Sequence, residues 1–156
     1  MKPEDPKDLL KIRVDLPSGS HVDAEGLWAR PLGMGLFEIR SPPLLAYDLH
    51  IGDVVSCTEA SGSKPQLMRV VCRSGHRTLR VLFSERAMDK AQGETLRDLK
   101  GLGVSHWPGW QRFYAVDVPP GSDYEAVCYY LWEREQVGVL QYETGMTRPY
   151  TEVLTA

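Results

Sequence analysis

The run Val116-Asp117-Val118-Pro119-Pro120-Gly121-Ser122-Asp123-Tyr124-Glu125-Ala126-Val127 joins an alternating, β-favouring segment to a helical one through two consecutive prolines. No other feature limits the fold as tightly. Neither Pro119 nor Pro120 has an N–H to give to a sheet ladder, so the strand must stop there. Ser122 is placed to accept from the first helical turn and Glu125 to reach back to the Ser122 amide, a capping box that predicts a helix immediately afterwards. Within that helix Tyr124, Val127, Cys128 and Leu131 stand at i, i+3, i+4 and i+7, one apolar stripe. Gly138 closes it, and Val139-Leu140-Gln141-Tyr142 supplies a last strand.

Upstream of the junction, Phe113 to Val118 reads as a strand by composition, and Thr78 to Phe83 as another. Between them the pattern predicts a helix over Met88 to Leu99, ending near Gly101 or Gly103, and then a turn at Trp107-Pro108-Gly109-Trp110 between short extended segments. The order is β-α-β-β-α-β. That is the ferredoxin-like arrangement, in which two helices cover one face of a four-stranded antiparallel sheet and leave the other face available.

The first half shows strands and no helix signal. Leu10 to Leu16 alternates apolar and polar residues and is broken by Pro17-Ser18-Gly19-Ser20. Gly26 to Leu32 and Gly35 to Arg40 form a hairpin about the Gly33-Met34-Gly35 turn, and Ile51 to Cys57 and Leu67 to Arg73 complete five strands. Five short strands predict a small open barrel. The fold class expected is therefore α+β. Its organisation is a flexible N-terminal segment (1–9), a small five-stranded β-barrel-like half (10–75), a ferredoxin-like βαββαβ half (76–145) and a C-terminal tail (146–156).

Several groups of residues keep a recognisable order: Leu27-Trp28-Ala29 with Pro31-Leu32-Gly33; Ala46-Tyr47 followed by Gly52-Asp53-Val54-Val55; Arg73-Ser74-Gly75-His76 with Thr78; Leu102-Gly103; and Val116 to Pro120 with Asp123-Tyr124. In order and spacing they resemble a bacterial family, the domain-of-unknown-function family 4265, over roughly Leu10 to Glu143. The resemblance implies a shared fold and no particular reaction. Small proteins of this kind look like accessories, and some resemble immunity partners of polymorphic bacterial toxins.

A chain of 156 residues can bury one ordinary core or two small ones sharing an interface. No window is long and apolar enough to cross a bilayer, and the charged, proline-broken start Met1 to Asp8 lacks the apolar core of an export signal, so the cytoplasm is expected. Cys57, Cys72 and Cys128 are odd in number and widely spaced, which argues against a disulfide framework or a paired zinc site; they read as buried thiols. The net charge of −3 conceals a division: residues 1–63 sum to −4, 64–112 to +6 and 113–156 to −5. Such asymmetry can steer a charged partner where the charges share a surface.

Spacing gives no support to catalysis. His21, His50, His76 and His106 stand roughly thirty residues apart, with no pair one helical turn apart to ligate a metal. The Gly33 to Gly35 turn lacks the lysine and hydroxyl of a phosphate-binding loop. No catalytic residue, metal or cofactor is expected.

The best single cluster is Arg73-Ser74-Gly75-His76-Arg77, a hydroxyl, an imidazole and two guanidinium groups on a tight loop between strands. Arginine forks match phosphate oxygens, so the loop could hold an anion. The plainer reading is an inter-domain turn, with His76 bonded to backbone and the arginines paired to carboxylates. Arg69, Arg73, Ser74, His76, Arg77 and Arg80 are the candidates for anion or nucleic-acid binding, the runner-up function using the basic 64–112 segment. Phe113 and Tyr114 point to opposite faces of their strand, so only one of them could stack on a base.

The leading expectation is a non-catalytic protein-binding module. Asp123, Glu125, Glu133, Glu135 and Glu143 interleave with Tyr129, Tyr130, Trp132 and Tyr142, aromatic anchors inside an acidic rim suited to a basic protein partner. The role expected is an immunity or inhibitor protein that blocks a basic toxin or effector, with no membrane partner.

Overall fold

The computed structural model describes residues 6–58, 63–87 and 89–146. Most of the two expected end segments, residues 1–5 and 147–156, lies outside the described residues, as does Met88 at the head of the first expected helix.

After a 3-10 turn over Pro6–Asp8, five strands pair antiparallel in chain order: β1 (Leu10–Asp15), β2 (Ala24–Gly33), β3 (Leu36–Ile39), β4 (Val54–Cys57) and β5 (Leu67–Cys72). Period-two patterning decides which side is buried: Ile12 and Val14 point inward on β1 while Lys11, Arg13 and Asp15 stay in solvent. The β2–β3 hairpin turns through three consecutive left-handed residues, Gly33, Met34 and Gly35, with φ of 89°, 58° and 75°. Flanking glycines carry the turn, and Met34 is fully exposed at its tip.

The five strands form an open sheet, not a closed barrel. Among the described residues β1 is bridged to the segment just before β5 at one isolated position, Arg13 to Gln66, with the Arg13 amide donating to the Pro65 carbonyl at 2.8 Å. Two register irregularities between β4 and β5 twist that edge, and β5 is half-buried or exposed along its length, so the result is a curled open sheet. The same exposure corrects the reading of the thiols: Cys57 is buried and Cys128 half-buried, but Cys72 at the end of β5 is exposed.

The second half runs β6 (Arg77–Phe83), α1 (Asp89–Gly101), β7 (Ser105–Pro108), β8 (Phe113–Val118), α2 (Tyr124–Gln136) and β9 (Leu140–Thr144). Its sheet is antiparallel in the order β7-β8-β6-β9, so the chain as a whole is α+β. Trp107 and Pro108 belong to β7 rather than to a turn; an edge strand tolerates a terminal proline because the missing N–H faces outward. The helix start also differs from expectation. Asp123 is the N-cap, its Oδ1 accepting from the Ala126 amide at 3.1 Å, while the Ser122 hydroxyl donates to the Gly103 carbonyl beyond α1.

Two apolar clusters result. One lies inside the five-stranded sheet around Ile12, Leu27, Ala29, Ile39 and Val55. The other packs Leu79, Val81, Phe83, Val116 and Val118 of the second sheet against Leu99, Val127 and Leu131 of the helices. Alternation along β6 turns Thr78 and Arg80 to the opposite face, yet both are buried there, because the strap between β3 and β4 runs over them. Glu25 of β2 fixes that strap, its carboxylate accepting from the amides of Leu44, Leu45 and Ala46 at 2.6, 3.1 and 2.8 Å. Among the described residues no helix is long and apolar enough to cross a membrane.

Candidate functional site

Helix α2 buries the stripe predicted for it, Val127 and Leu131 completely and Tyr124 and Cys128 in part. The opposite face carries Glu125, Tyr129, Trp132, Glu133 and Gln136, all exposed. Tyr129 is 61% and Trp132 47% exposed, and their rings stack on each other at 5.9 Å with planes 25° apart. Two large aromatic rings are thus held in water by a rigid element and flanked at four-residue spacing by Glu125 and Glu133. Holding each other flat lowers the side-chain entropy that a docking contact would otherwise lose.

The other expected partner-binding residues are engaged by contacts within the fold, with Asp123 and Glu143 still exposed. Asp123 caps the helix. Tyr130 is half-buried and donates its hydroxyl to Asp98 of α1 at 2.6 Å; burial, and then the Asp98 hydrogen bond, push its phenol up to about 12. Glu135 accepts from the Tyr142 amide at 3.1 Å and so covers the outer edge of β9, while the Tyr142 ring packs against the second core and its phenol is raised by burial. Glu143 accepts from the Tyr47 hydroxyl at 2.9 Å and lies 3.0 Å from the Arg80 guanidinium, at the joint between the halves. Four of the nine, Glu125, Tyr129, Trp132 and Glu133, therefore make one exposed face.

A second polar cluster forms where the strap and the β5–β6 loop meet. Asp53, fully buried, accepts from the His50 amide at 3.0 Å, the Ser74 amide at 2.9 Å and Arg73 Nη1 at 3.1 Å. Arg73 Nη1 also donates to the Asp48 carbonyl, and the Ser74 hydroxyl donates to the Ile51 carbonyl at 2.6 Å. Across the joint the His50 Nδ1 lies 2.8 Å from the Thr78 hydroxyl, and the His76 Nδ1 lies 2.9 and 3.1 Å from the two oxygens of Asp117. Burial raises the Asp117 carboxyl, with the His76 hydrogen bond opposing, and burial lowers the His50 imidazole, with nearby Asp53 opposing.

The basic candidates do not form one patch. Arg69 projects from β5 of the first sheet, Arg73, Ser74, His76 and Arg77 surround the joint, and Arg80 is buried with its Nη1 donating to the Ala46 carbonyl at 2.9 Å. Phe113 lies on the face away from the helices, stacked on Trp110 at 5.1 Å, and Tyr114 packs edge-on to Phe83 on the helix side at 5.7 Å. Sequence reasoning missed His50, Asp53, Thr78 and Asp117 as neighbours of the Arg73–Arg77 loop. The available signal was Gly52-Asp53 standing among the family-like residues, since a glycine beside a buried carboxylate marks a tight turn.

Comparison with solved structures finds one described as a hypothetical protein from Neisseria gonorrhoeae, with a TM-score of 0.72 and 18% identity, covering 87% of this chain and 93% of that one. At that identity the likeness extends to the fold. No curated protein matches the chain. The family model described as a domain of unknown function, DUF4265, matches residues 25–142, most of the chain and every element from the second strand to the last. The chain belongs to the DUF4265 family.

Proposed function

We propose that this chain is a non-catalytic cytoplasmic protein that binds a basic bacterial protein through the exposed face of α2 and blocks it, as an immunity or inhibitor protein does. In this reading the ferredoxin-like half carries the docking helix, and the curled, barrel-like half supports it through the strap.

The observation that carries the proposal is the Tyr129–Trp132 stack standing in solvent between Glu125 and Glu133. Aromatic anchors inside a charged rim have the composition of protein-binding hot spots, and the acidic rim selects a basic partner. Three free cysteines accord with a reducing compartment.

The test compares proteins retained from the native cytoplasm by the wild-type chain and by Tyr129→Ala/Trp132→Ala, a variant altered only on the exposed face. A basic protein retained by the first, absent with the second and released by salt supports the reading. Equal retention by both contradicts it.

A further inference from the structure

The outer face of the first sheet gathers positive charge that the net charge of −3 conceals. Register places Lys11 of β1 opposite Trp28 of β2 and Arg13 opposite Gly26, all on the side turned away from the core around Ile12 and Leu27. Lys64 reaches the same place from the segment before β5, which is held along β1 by the Arg13 amide on the Pro65 carbonyl. We propose that this face binds single-stranded nucleic acid, with Lys11, Arg13 and Lys64 on the phosphates and Trp28 stacked on a base.

Gly26 makes the seat. It stands inside β2 with no left-handed φ to require a glycine, yet a Cβ there would lie 3.3 Å from Lys11 Cδ and 4.0 Å from Lys64 Nζ. A glycine in a strand interior is a place where another group approaches the backbone closely. Two ammonium-bearing side chains converge here over bare backbone, an arrangement that an anion seated between them stabilises.

Charge sets the sign of the occupant. Asp15 pairs with Arg13 at 3.2 Å, and Glu38 lies between Arg30 and Arg40 at 2.7 and 3.1 Å, so these two carboxylates are outnumbered by the cations beside them. Lys11 and Lys64 are exposed and have no carboxylate partner among the described residues. The Arg13–Asp15 pair is itself open to water, with side chains 51% and 67% exposed, and such a pair holds its guanidinium weakly.

Trp28 favours nucleic acid over an acidic protein. Its side chain is 45% exposed among these cations, and Lys11 Nζ lies 5.1 Å from the ring centroid. An exposed cation–π contact is worth less than a stacked base, so a base displaces the ammonium from the ring and leaves it to meet a phosphate. Lys11 and Arg13 stand two residues apart on one strand, about 7 Å, close to the separation of successive phosphates in an extended single strand. Paired bases inside a duplex have no free face for Trp28. The inference is independent of the α2 face.

The test titrates the full chain into a fluorescein-labelled single-stranded oligodeoxythymidylate of about twelve nucleotides, following anisotropy at several salt concentrations. Saturable binding with a Kd in the micromolar range at about 50 mM salt, weakening with a log–log slope of about −2, supports the proposal. Trp28→Ala should weaken binding about fivefold or more, and Lys11→Gln/Lys64→Gln should flatten the slope by about 1.4, each at an unchanged Tm. Any one of four results overturns it: no saturable binding at low salt, equally tight binding of a duplex of the same length, undiminished binding by either variant, or displacement by polyglutamate as effective as by the unlabelled oligonucleotide. The last would assign the face to an acidic protein.

Discussion

Arg80 Nε and Glu143 Oε1 lie 3.0 Å apart where the strap crosses the second sheet, with the Arg80 side chain 1% exposed and that of Glu143 51%. The pair is close without being aligned for a hydrogen bond, since Arg80 Nε and Nη2 have no hydrogen-bond partner among the described residues. What holds the guanidinium is a combination: the Ala46 carbonyl on Nη1, the Tyr47 ring at 4.3 Å over its face, and the Glu143 charge at the rim.

This arrangement predicts energetic coupling between the halves. Tyr47→Phe removes the hydroxyl that donates to Glu143 and should cost about 0.5–1.5 kcal/mol, whereas Arg80→Met should cost about 1.5–3 kcal/mol, the range for hydrogen bonds to charged groups. A double-mutant cycle of Tyr47→Phe with Glu143→Gln, measured by urea unfolding, should show an interaction of at least about 0.5 kcal/mol. Additive effects would mean that the joint does not act as a unit.

The two glycines Gly52 and Gly101 should respond in opposite directions to alanine. Gly52 has a left-handed backbone, and a Cβ there would lie 2.8 Å from Ser74, so Gly52→Ala should destabilise by more than about 1 kcal/mol. Gly101 ends α1 with open space about it, so Gly101→Ala should be neutral or stabilise by up to about 1 kcal/mol. Thermal melts of the two variants check the contrast.

His50 should make stability fall in mild acid. Burial holds its folded-state pKa below the ordinary imidazole value of about 6.5, so between those two values the unfolded chain binds the proton and the folded chain does not. Its contribution is complete above about pH 6.5 and is lost as pH falls toward the folded-state value. Urea unfolding of wild type and His50→Gln from about pH 7.5 to pH 5 should show a smaller positive slope in the variant. Identical slopes would contradict this assignment.

Native-state alkylation should separate the thiols. Cys72 is exposed and should label readily, whereas Cys57 is buried, with its thiol pushed up to about 11, and should label only after unfolding. Peptide mapping after brief iodoacetamide treatment reads the difference directly.

Much of the fold was legible locally. The β8–α2 junction follows from two prolines and an apolar stripe, and the β2–β3 hairpin from glycines on either side of Met34. Errors arose where a distant residue intervened. Ser122 had the right chemistry to cap α2, but Gly103 captures its hydroxyl from 19 residues away and leaves Asp123 to cap.

The candidate sites divide in the same way. Tyr129, Trp132, Glu125 and Glu133 share a face because helical periodicity puts them there, so the sequence could find them. The joint could not be found by spacing: His76 meets Asp117 from 41 residues away and His50 meets Thr78 from 28. Only the packing of the strap against the second sheet brings them together.

The central claim is that the acidic, aromatic face of α2 steers and holds a basic protein. Its most direct test is the association rate of the partner recovered with the wild-type chain, measured for wild type and for Glu125→Lys/Glu133→Lys at low and at physiological salt. The account predicts an association rate lower by about tenfold or more in the variant at low salt, with the difference shrinking as salt rises. Equal rates at both salt concentrations would contradict it.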